Sequence, residues 1–236
     1  MASDGHQQGS GWDSTTSTPK HSRFLFWSPS SEASETALTG NGTLDGEARA
    51  LSSGEMIKSF KQRFLSLELQ SPRWSSAEIT VQDYELRHYE TAKWASTVIK
   101  GKMQKEALCQ GFWKLFYYIQ GKNEKEMKIE MTVPVTCLVK SGCTDFKVSF
   151  FVPFEHQESP PTAPDVFIEE RKGEAIFVRS FGGFASPEKY AEEAQALARI
   201  LKNAGQPFHE DFYYTAGYDS PFKLFNRHNE VWYFKK

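Results

Sequence analysis

His88 is the residue of this sequence whose type and setting most directly suggest metal chemistry. It belongs to the segment YELRHY, residues 84–89, whose alternating apolar and polar side chains predict a β-strand. The alternation places His88 on the same face as Tyr84 and Leu86. A neutral imidazole held by an apolar wall could serve as an axial ligand to the iron of haem. The alternative is a core histidine with one ring nitrogen hydrogen-bonded, and the segment leaves both interpretations open.

A second group with chemical potential lies in the C-terminal segment AGYDSPFKLFNRHNEVW, residues 216–232. Lys223 and Arg227 follow a predicted turn and stand among the apolar residues Phe222, Leu224 and Phe225. Cations beside exposed aromatic side chains suit an amphipathic anion with a flat apolar body, such as a porphyrin with two propionates. The alternative is a solvated loop whose aromatic side chains are buried in the core.

The motifs of common enzymes are absent from the sequence. It contains no HExxH, GxSxG, P-loop or GxGxxG pattern, and none of its six histidines forms a close metal-binding pair. The Cys-Pro pair that can supply a thiolate to haem is also absent. The sequence motifs therefore give no positive support to an enzyme.

The helix predicted over residues 103–120 has more apolar surface than packing on one sheet requires. Its core stripe, at about 100° per residue, consists of Leu108, Phe112, Leu115 and Ile119. Other apolar residues widen the stripe on both flanks to about twice the arc that a sheet contact needs: Cys109, Trp113, Phe116 and Tyr118. A helix predicted at residues 55–69 or a flat apolar ligand could cover the excess.

The pattern beyond residue 80 consists of two similar halves, offset by roughly 80 residues. Strands are predicted at residues 84–89, 94–99, 128–139, 146–152, 166–171, 175–181, 212–218 and 230–234, with helices at 103–120 and 187–203. Two ββαββ repeats would give an α+β domain, in which a distorted antiparallel eight-stranded β-barrel is flanked by two long helices. Strands within each half are expected to pair with one another.

The second predicted helix, residues 187–203, has clear signals at both ends. Ser186 can cap it, Pro187 takes its first position, and Gly205 follows its end. Its single apolar stripe predicts packing on the sheet. The alternative is a stripe that docks into a groove on a partner protein.

The chain is predicted to have three parts. Residues 1–54 are rich in Ser, Thr and Gly and are expected to form a disordered tail, which is also a possible protein-docking segment. Residues 55–75 are predicted to form an amphipathic helix, ending before Pro72, and a linker. That helix could pack on the domain or lie on a membrane surface. Residues 76–236 are the predicted folded domain.

The charge and the cysteine content of the chain limit the partners and the cellular compartments that are consistent with it. Lys and Arg total 28 against 30 Asp and Glu, so the formal net charge is −2, which argues against binding to nucleic acid. No apolar run approaches the ~20 residues of a membrane span, and no secretory signal is evident. The three cysteines form no CxxC motif, which favours a reducing compartment and predicts a cytoplasmic protein.

Four long segments in order resemble the SOUL haem-binding protein family, and within it the SOUL branch. They are YELRHYETAKWAST, FWKLFYYIQGKNEKEMKIEMTVPV, SPPTAPDVFIEERKGEAIFVRSFGGF and YYTAGYDSPFKLFNRHNEVW, and they lie within residues 80–236. The resemblance implies a distorted barrel of two repeated halves flanked by two helices. It implies His88 as the axial ligand, a groove lined by Cys109, Phe112 and Phe116, and a basic loop with Lys223.

The resemblance also implies a function. We expect non-catalytic, non-covalent binding of b-type haem or other porphyrins in the cytoplasm, as a buffer or carrier. The alternative is a protein-interaction module in cell-death or regulatory signalling, acting through helix 187–203 or the N-terminal tail, with incidental haem binding. A third possibility is a small-molecule sensor, because the duplicated fold is similar to bacterial effector-binding domains.

Overall fold

The structure, a computed structural model, describes residues 69–236 except 82, 221 and 222, with the backbone alone at 77–81. The tail predicted at residues 1–54 and nearly all of the helix predicted at 55–69 lie outside the described residues. The described part of the chain has an α+β fold with two α-helices, as predicted.

Nine strands and two helices form the described domain. The strands are β1 (Trp74–Val81), β2 (Tyr84–Tyr89), β3 (Ala92–Ile99), β4 (Val135–Lys140), β5 (Phe146–Phe151), β6 (Phe167–Arg171), β7 (Ala175–Phe181), β8 (Phe212–Gly217) and β9 (Asn229–Phe234). The helices are α1 (Gln104–Ile119) and α2 (Pro187–Asn203).

The predicted count of eight strands is wrong for the described residues. The additional strand, β1, begins in the predicted linker at Trp74 and continues into the predicted domain, where no strand was expected before Tyr84. The strand expected from residue 128 begins only at Val135, because Lys128 makes a single isolated bridge to Gln120. The alternating apolar and polar residues before Val135 therefore make isolated bridges rather than a continuous ladder with a partner strand.

The strands form one antiparallel sheet, ordered β1-β2-β7-β9-β8-β4-β5-β3-β6. The sheet curls into a half-barrel whose edges are β1 and β6. Although β2 and β3 are consecutive, β2 pairs with β7 and β3 pairs with β5 and β6. The expectation that strands pair within their own half is therefore wrong for β2 and β6, which change places between the halves.

Each helix covers a different part of one sheet face. Helix α1 packs Phe112 and Leu115 against β5, while α2 packs Leu197 and Leu201 against β7 and β9. The opposite face has its own buried cluster, which contains Tyr89, Trp94, Phe151, Tyr214 and Trp232. Burial of each large apolar side chain contributes about 1.5–3 kcal/mol, so these three clusters hold the curl of the sheet.

The predicted ends of α2 are confirmed by its local contacts. The Ser186 hydroxyl accepts a hydrogen bond from the backbone N–H of Lys189, and Pro187 is the first helical residue. After the helix, Gly205 has a φ of +62°, a conformation that costs glycine little. The contacts of Ser186 and Pro187 fix the start of α2 after the turn that follows β7, and Gly205 lies just beyond its end.

Helix α1 approaches β5 closely at Gly111. A Cβ atom at this position would lie 2.6 Å from Cγ2 and 2.8 Å from Cβ of Val148. Both distances are well inside van der Waals contact, and the Cβ of Val148 cannot move without its strand. The absence of a side chain at residue 111 thus sets the depth at which α1 lies on the sheet.

Gly111→Ala should lower the free energy of unfolding by about 1–3 kcal/mol, even though alanine is the better helix former. Urea denaturation measures this change. Combining it with Val148→Ala provides the control, because the smaller side chain removes the clash. The double variant should be more stable than the sum of the single effects predicts. Strict additivity would contradict the close approach.

Candidate functional site

His88 lies near the end of β2, opposite Ser75 of β1 and Ala175 of β7. Its neighbours on the same face, Tyr84 and Leu86, are buried against the α2 cluster, but His88 itself is exposed. The core-histidine alternative is therefore wrong. Within the described residues His88 makes no side-chain hydrogen bond or ion pair, and no neighbouring group there fixes its imidazole. The assignment as an iron ligand stays a prediction.

The segment between β8 and β9 is here called the β8–β9 loop and comprises residues 218–228, of which 221 and 222 are not described. Asp219 holds two parts of this loop together. One carboxylate oxygen of Asp219, Oδ1, pairs with the ammonium of Lys223 at 2.5 Å. The other, Oδ2, accepts a hydrogen bond from the backbone N–H of His228. Lys223 is exposed, as predicted for a basic loop residue, but its charge is already paired within the loop.

Arg227 holds the same loop from inside. Its Nη1 donates to the carbonyl oxygens of Ser220 and Lys223, each at 2.7 Å. The guanidinium also lies 4.5 Å from the ring centroid of Phe184, in the turn between β7 and α2. Burial lowers the pKa of Arg227 from its ordinary value. Among the described residues its Nε is buried without a hydrogen-bond partner. The Arg227 side chain therefore mainly stabilises the conformation of the loop.

Large apolar side chains are exposed around this loop. Their exposed fractions lie between 52% and 79%, and we call them the apolar patch: Phe184, Leu224 and Phe225. Phe184 contacts Arg227, and Leu224 and Phe225 belong to the loop. Large exposed apolar residues near one another mark interaction surfaces in soluble proteins.

The first turns of α1 and α2 lie within electrostatic reach of each other. The pKa of Glu188 in α2 is lowered first by hydrogen bonds from Ser186 and from its own backbone, and in addition by the charge of Lys105 in α1. Cys109 follows Lys105 by one helical turn. The structure therefore brings the first turns of α1, the Phe184 turn and the β8–β9 loop to one side of the domain.

The groove predicted beside α1 is only partly open. Cys109 is a free, half-buried thiol, and burial raises its pKa. Phe112 and Phe116 are each 1% exposed, with their rings stacked at 5.9 Å and Phe112 also against Phe150. Of the three predicted lining residues, Cys109 can meet a ligand directly, whereas the two phenylalanines require a neighbour to move. Their assignment as ligand contacts stays a prediction.

His88 lies away from the other predicted site residues. Across the sheet, Ala175 of β7 stands opposite His88, and Phe181 of β7 stands opposite Asn229, next to the β8–β9 loop. Phe181 is six positions further along the strand than Ala175, which is ~20 Å at ~3.3 Å per residue. Iron ligation at His88 and carboxylate binding at Lys223 therefore belong to opposite ends of the sheet.

The sequence analysis missed a buried carboxylate at the base of the loop. Glu230 is 1% exposed and accepts a hydrogen bond from Arg87 Nη1 at 3.0 Å. It also accepts from His228 Nε2 at 2.7 Å, from the Tyr218 hydroxyl at 2.8 Å and from the Trp232 indole at 2.7 Å. Tyr218 and His228 are the two ends of the β8–β9 loop, so Glu230 fixes both ends.

The surroundings of Glu230 keep it ionised. Burial alone would raise its pKa, but the hydrogen bond from His228, the charge of Arg87 and the Trp232 and Tyr218 donors outweigh burial and lower the pKa. Arg87 is buried too, and it also pairs with Glu85 at 2.8 Å and lies 4.2 Å from the Trp74 ring centroid. The segment NEVWYF could have indicated this group, because alternation along a strand places the Glu230 carboxylate on the same face as Trp232.

The described residues contain no metal cluster. No group of three or more His, Cys, Asp or Glu side chains within residues 69–236, excepting the undescribed positions, could hold a metal ion. No helix in this part of the chain is long and apolar enough to cross a membrane.

Glu230→Gln should cost about 3–5 kcal/mol at neutral pH, because it removes the buried counter-ion of Arg87 and leaves only the partly exposed Glu85 to pair with it. The folded state holds the pKa of Glu230 below its unfolded value, so the stabilisation is present at neutral pH and is lost as the pH falls through the folded pKa. The gap between wild type and variant should therefore narrow below about pH 4.

Urea denaturation at several pH values measures this gap. Glu85→Gln is the matched control, because Glu85 pairs with the same arginine but is partly exposed, and it should cost about 1 kcal/mol or less. Equal costs for the two variants would contradict a central role for Glu230.

Comparison with known proteins places the chain in a family. A protein-family model described as SOUL heme-binding protein matches residues 69–234. Heme-binding protein 2 of Mus musculus and that of Homo sapiens are each 47% identical over 178 residues, which cover 71% of this chain and 87% of the relative. Heme-binding protein 1 of Mus musculus is 37% identical over 159 residues, covering 64% and 84%. The chain belongs to the SOUL heme-binding protein family.

Proposed function

We propose that this protein binds haem or a related tetrapyrrole non-covalently, as a carrier or buffer, and catalyses no reaction. The observation that carries the proposal is the apolar patch, whose residues Leu224 and Phe225 directly follow the exposed cation Lys223 in the β8–β9 loop. The names of the mouse and human relatives support the same ligand class. Haem, protoporphyrin and other porphyrins share the features that such a surface recognises.

The chemistry of the patch fits a flat, amphipathic anion. The aromatic rings of Phe184 and Phe225 offer faces for stacking against a macrocycle, and burying apolar area contributes about 25 cal/mol per Å². Lys223 can pair with a carboxylate at the rim, and we assign Arg227 to shaping the loop and to a secondary electrostatic role. Half-buried Cys109 would line the far side of the ligand. None of these contacts requires iron.

His88 is proposed as an axial ligand to haem iron. Its exposed imidazole makes no hydrogen bond within the described residues, so a ring nitrogen is available to a metal. Because it lies ~20 Å along the sheet from the patch, ligation by His88 is a separate, iron-dependent mode of binding. A ring held at the patch binds through its apolar faces and carboxylates, with or without iron.

The remaining expectations are proposals of the same kind. Cys109, Cys137 and Cys143 are free thiols, which supports the proposal of a reducing, cytoplasmic environment. The strand registers support an internal duplication of two ββαββ units. Glu85 of β2 pairs with Val178 of β7. The position 84 residues after Glu85 is Glu169 in β6, the position 84 residues before Val178 is Trp94 in β3, and these two residues also pair.

Phe225→Ala should weaken binding of both haem and iron-free protoporphyrin on the order of tenfold, because it removes one stacking face. Absorbance titration across the Soret band, with porphyrin fluorescence for the iron-free ligand, measures the affinities. Phe167→Ala is the matched control: Phe167 is also an exposed phenylalanine, but it lies on the edge strand β6. Equal effects of both variants, or none from Phe225→Ala, would contradict the patch as the site. Absence of binding by the unmodified protein would favour the protein-interaction alternative.

His88→Ala should shift the Soret band of the haem complex and leave the affinity for iron-free protoporphyrin unchanged, because only haem offers a metal to coordinate. His156→Ala, which removes a half-buried histidine from another part of the chain, should change neither. An unchanged haem spectrum in a folded His88→Ala protein would end the axial-ligand assignment.

A further inference from the structure

We propose that Asp219 competes with ligand carboxylates for the ammonium of Lys223 and thereby sets the preference of the site for ligand charge. This inference rests on the proposed tetrapyrrole site. The exposed fraction of the Asp219 side chain is 9%, against 43% for that of Lys223, and the two charges are 2.5 Å apart. The cation that a ligand would meet at the rim therefore already has a fixed counter-ion below it.

A carboxylate that binds Lys223 must share the ammonium with Asp219. Two carboxylates at one ammonium repel each other, and the protein carboxylate cannot move away easily because it is held from a second side. That second contact is the hydrogen bond which Oδ2 accepts from the backbone N–H of His228. The net attraction for a dianionic ligand is accordingly smaller than the exposed lysine alone would give.

The two oxygens of Asp219 have separate partners, which makes the competition testable. In Asp219→Asn the amide oxygen can still accept the hydrogen bond from His228, while the negative charge is removed. The loop retains its other restraints, since Arg227 Nη1 still donates to the carbonyl oxygens of Ser220 and Lys223. Glu230 still holds His228 and Tyr218 at the loop ends.

The Asp219→Asn substitution should leave the affinity for neutral ligands unchanged. A porphyrin whose propionates are esterified has no carboxylate to be repelled, so its affinity depends on the apolar patch alone. We infer that Asp219 reduces the advantage of free-acid tetrapyrroles over neutral ones and allows ligands of lower charge to bind comparably.

The experiment compares iron-free protoporphyrin with its dimethyl ester by fluorescence titration of the unmodified protein and of Asp219→Asn. The variant should bind protoporphyrin roughly three- to fivefold more tightly and the ester unchanged. The gain should shrink as the salt concentration rises. Asp211→Asn, which neutralises an exposed aspartate at the other end of β8, should change neither affinity.

The outcomes separate the two proposals. If the unmodified protein binds the porphyrins but Asp219→Asn binds the acid no more tightly, the competitor role is wrong and the proposed function stands. Weaker binding of both ligands by Asp219→Asn would assign Asp219 to loop shape and also overturn the competitor role. If neither the unmodified protein nor the variant binds either ligand, the proposed function and this inference fail together. Lys223→Gln combined with Asp219→Asn should abolish the gain, because no ammonium remains to be contested.

Discussion

A carboxylate buried in a protein costs several kcal/mol unless donors replace the water that it has lost, and Glu230 imposes this requirement on the whole domain. Its donors come from β2, from β9 and from both ends of the β8–β9 loop. Arg87 can reach it only because β2 lies beside β7, in the half to which it does not belong by sequence. The exchange of strands and the buried ion pair therefore stabilise each other.

The position of the proposed ligand-binding surface follows from this constraint. With Tyr218 and His228 held by Glu230, the loop between them turns on Asp219 and Arg227 and exposes Lys223, Leu224 and Phe225. A rigid base under an exposed apolar tip lowers the cost of ordering the loop when a ligand binds. In the proposed site, recognition would combine apolar rings with a partly neutralised cation.

The elements whose signals are local could be predicted from the sequence. The bounds of α2 follow from Ser186, Pro187 and Gly205, and the strands β2 and β7 follow from their alternation. Lys223 was correctly expected on an exposed loop because turn residues and cations surround it. These features depend on residues that are close together in the chain.

The features that the sequence did not predict depend on long-range pairing. Arg87 and Glu230 are 143 residues apart, and the residues around each of them contain no pattern that indicates the pairing. Alternation gave the face of His88 but not its exposure, which depends on how far α2 extends over β2. Phe112 and Phe116 were expected to line a groove, yet their burial depends on how closely α1 approaches β5 through Gly111.

The central claim is that tetrapyrroles bind beside the β8–β9 loop. The most direct test is a titration of ¹⁵N-labelled protein with iron-free protoporphyrin, followed by amide chemical shifts, because this ligand avoids paramagnetic broadening. The account predicts the largest shifts at Lys223–Arg227, at Phe184 and in the first turns of α1, with little change at His88 and its neighbours in β2. Shifts concentrated around His88, with the loop and Phe184 silent, would contradict it.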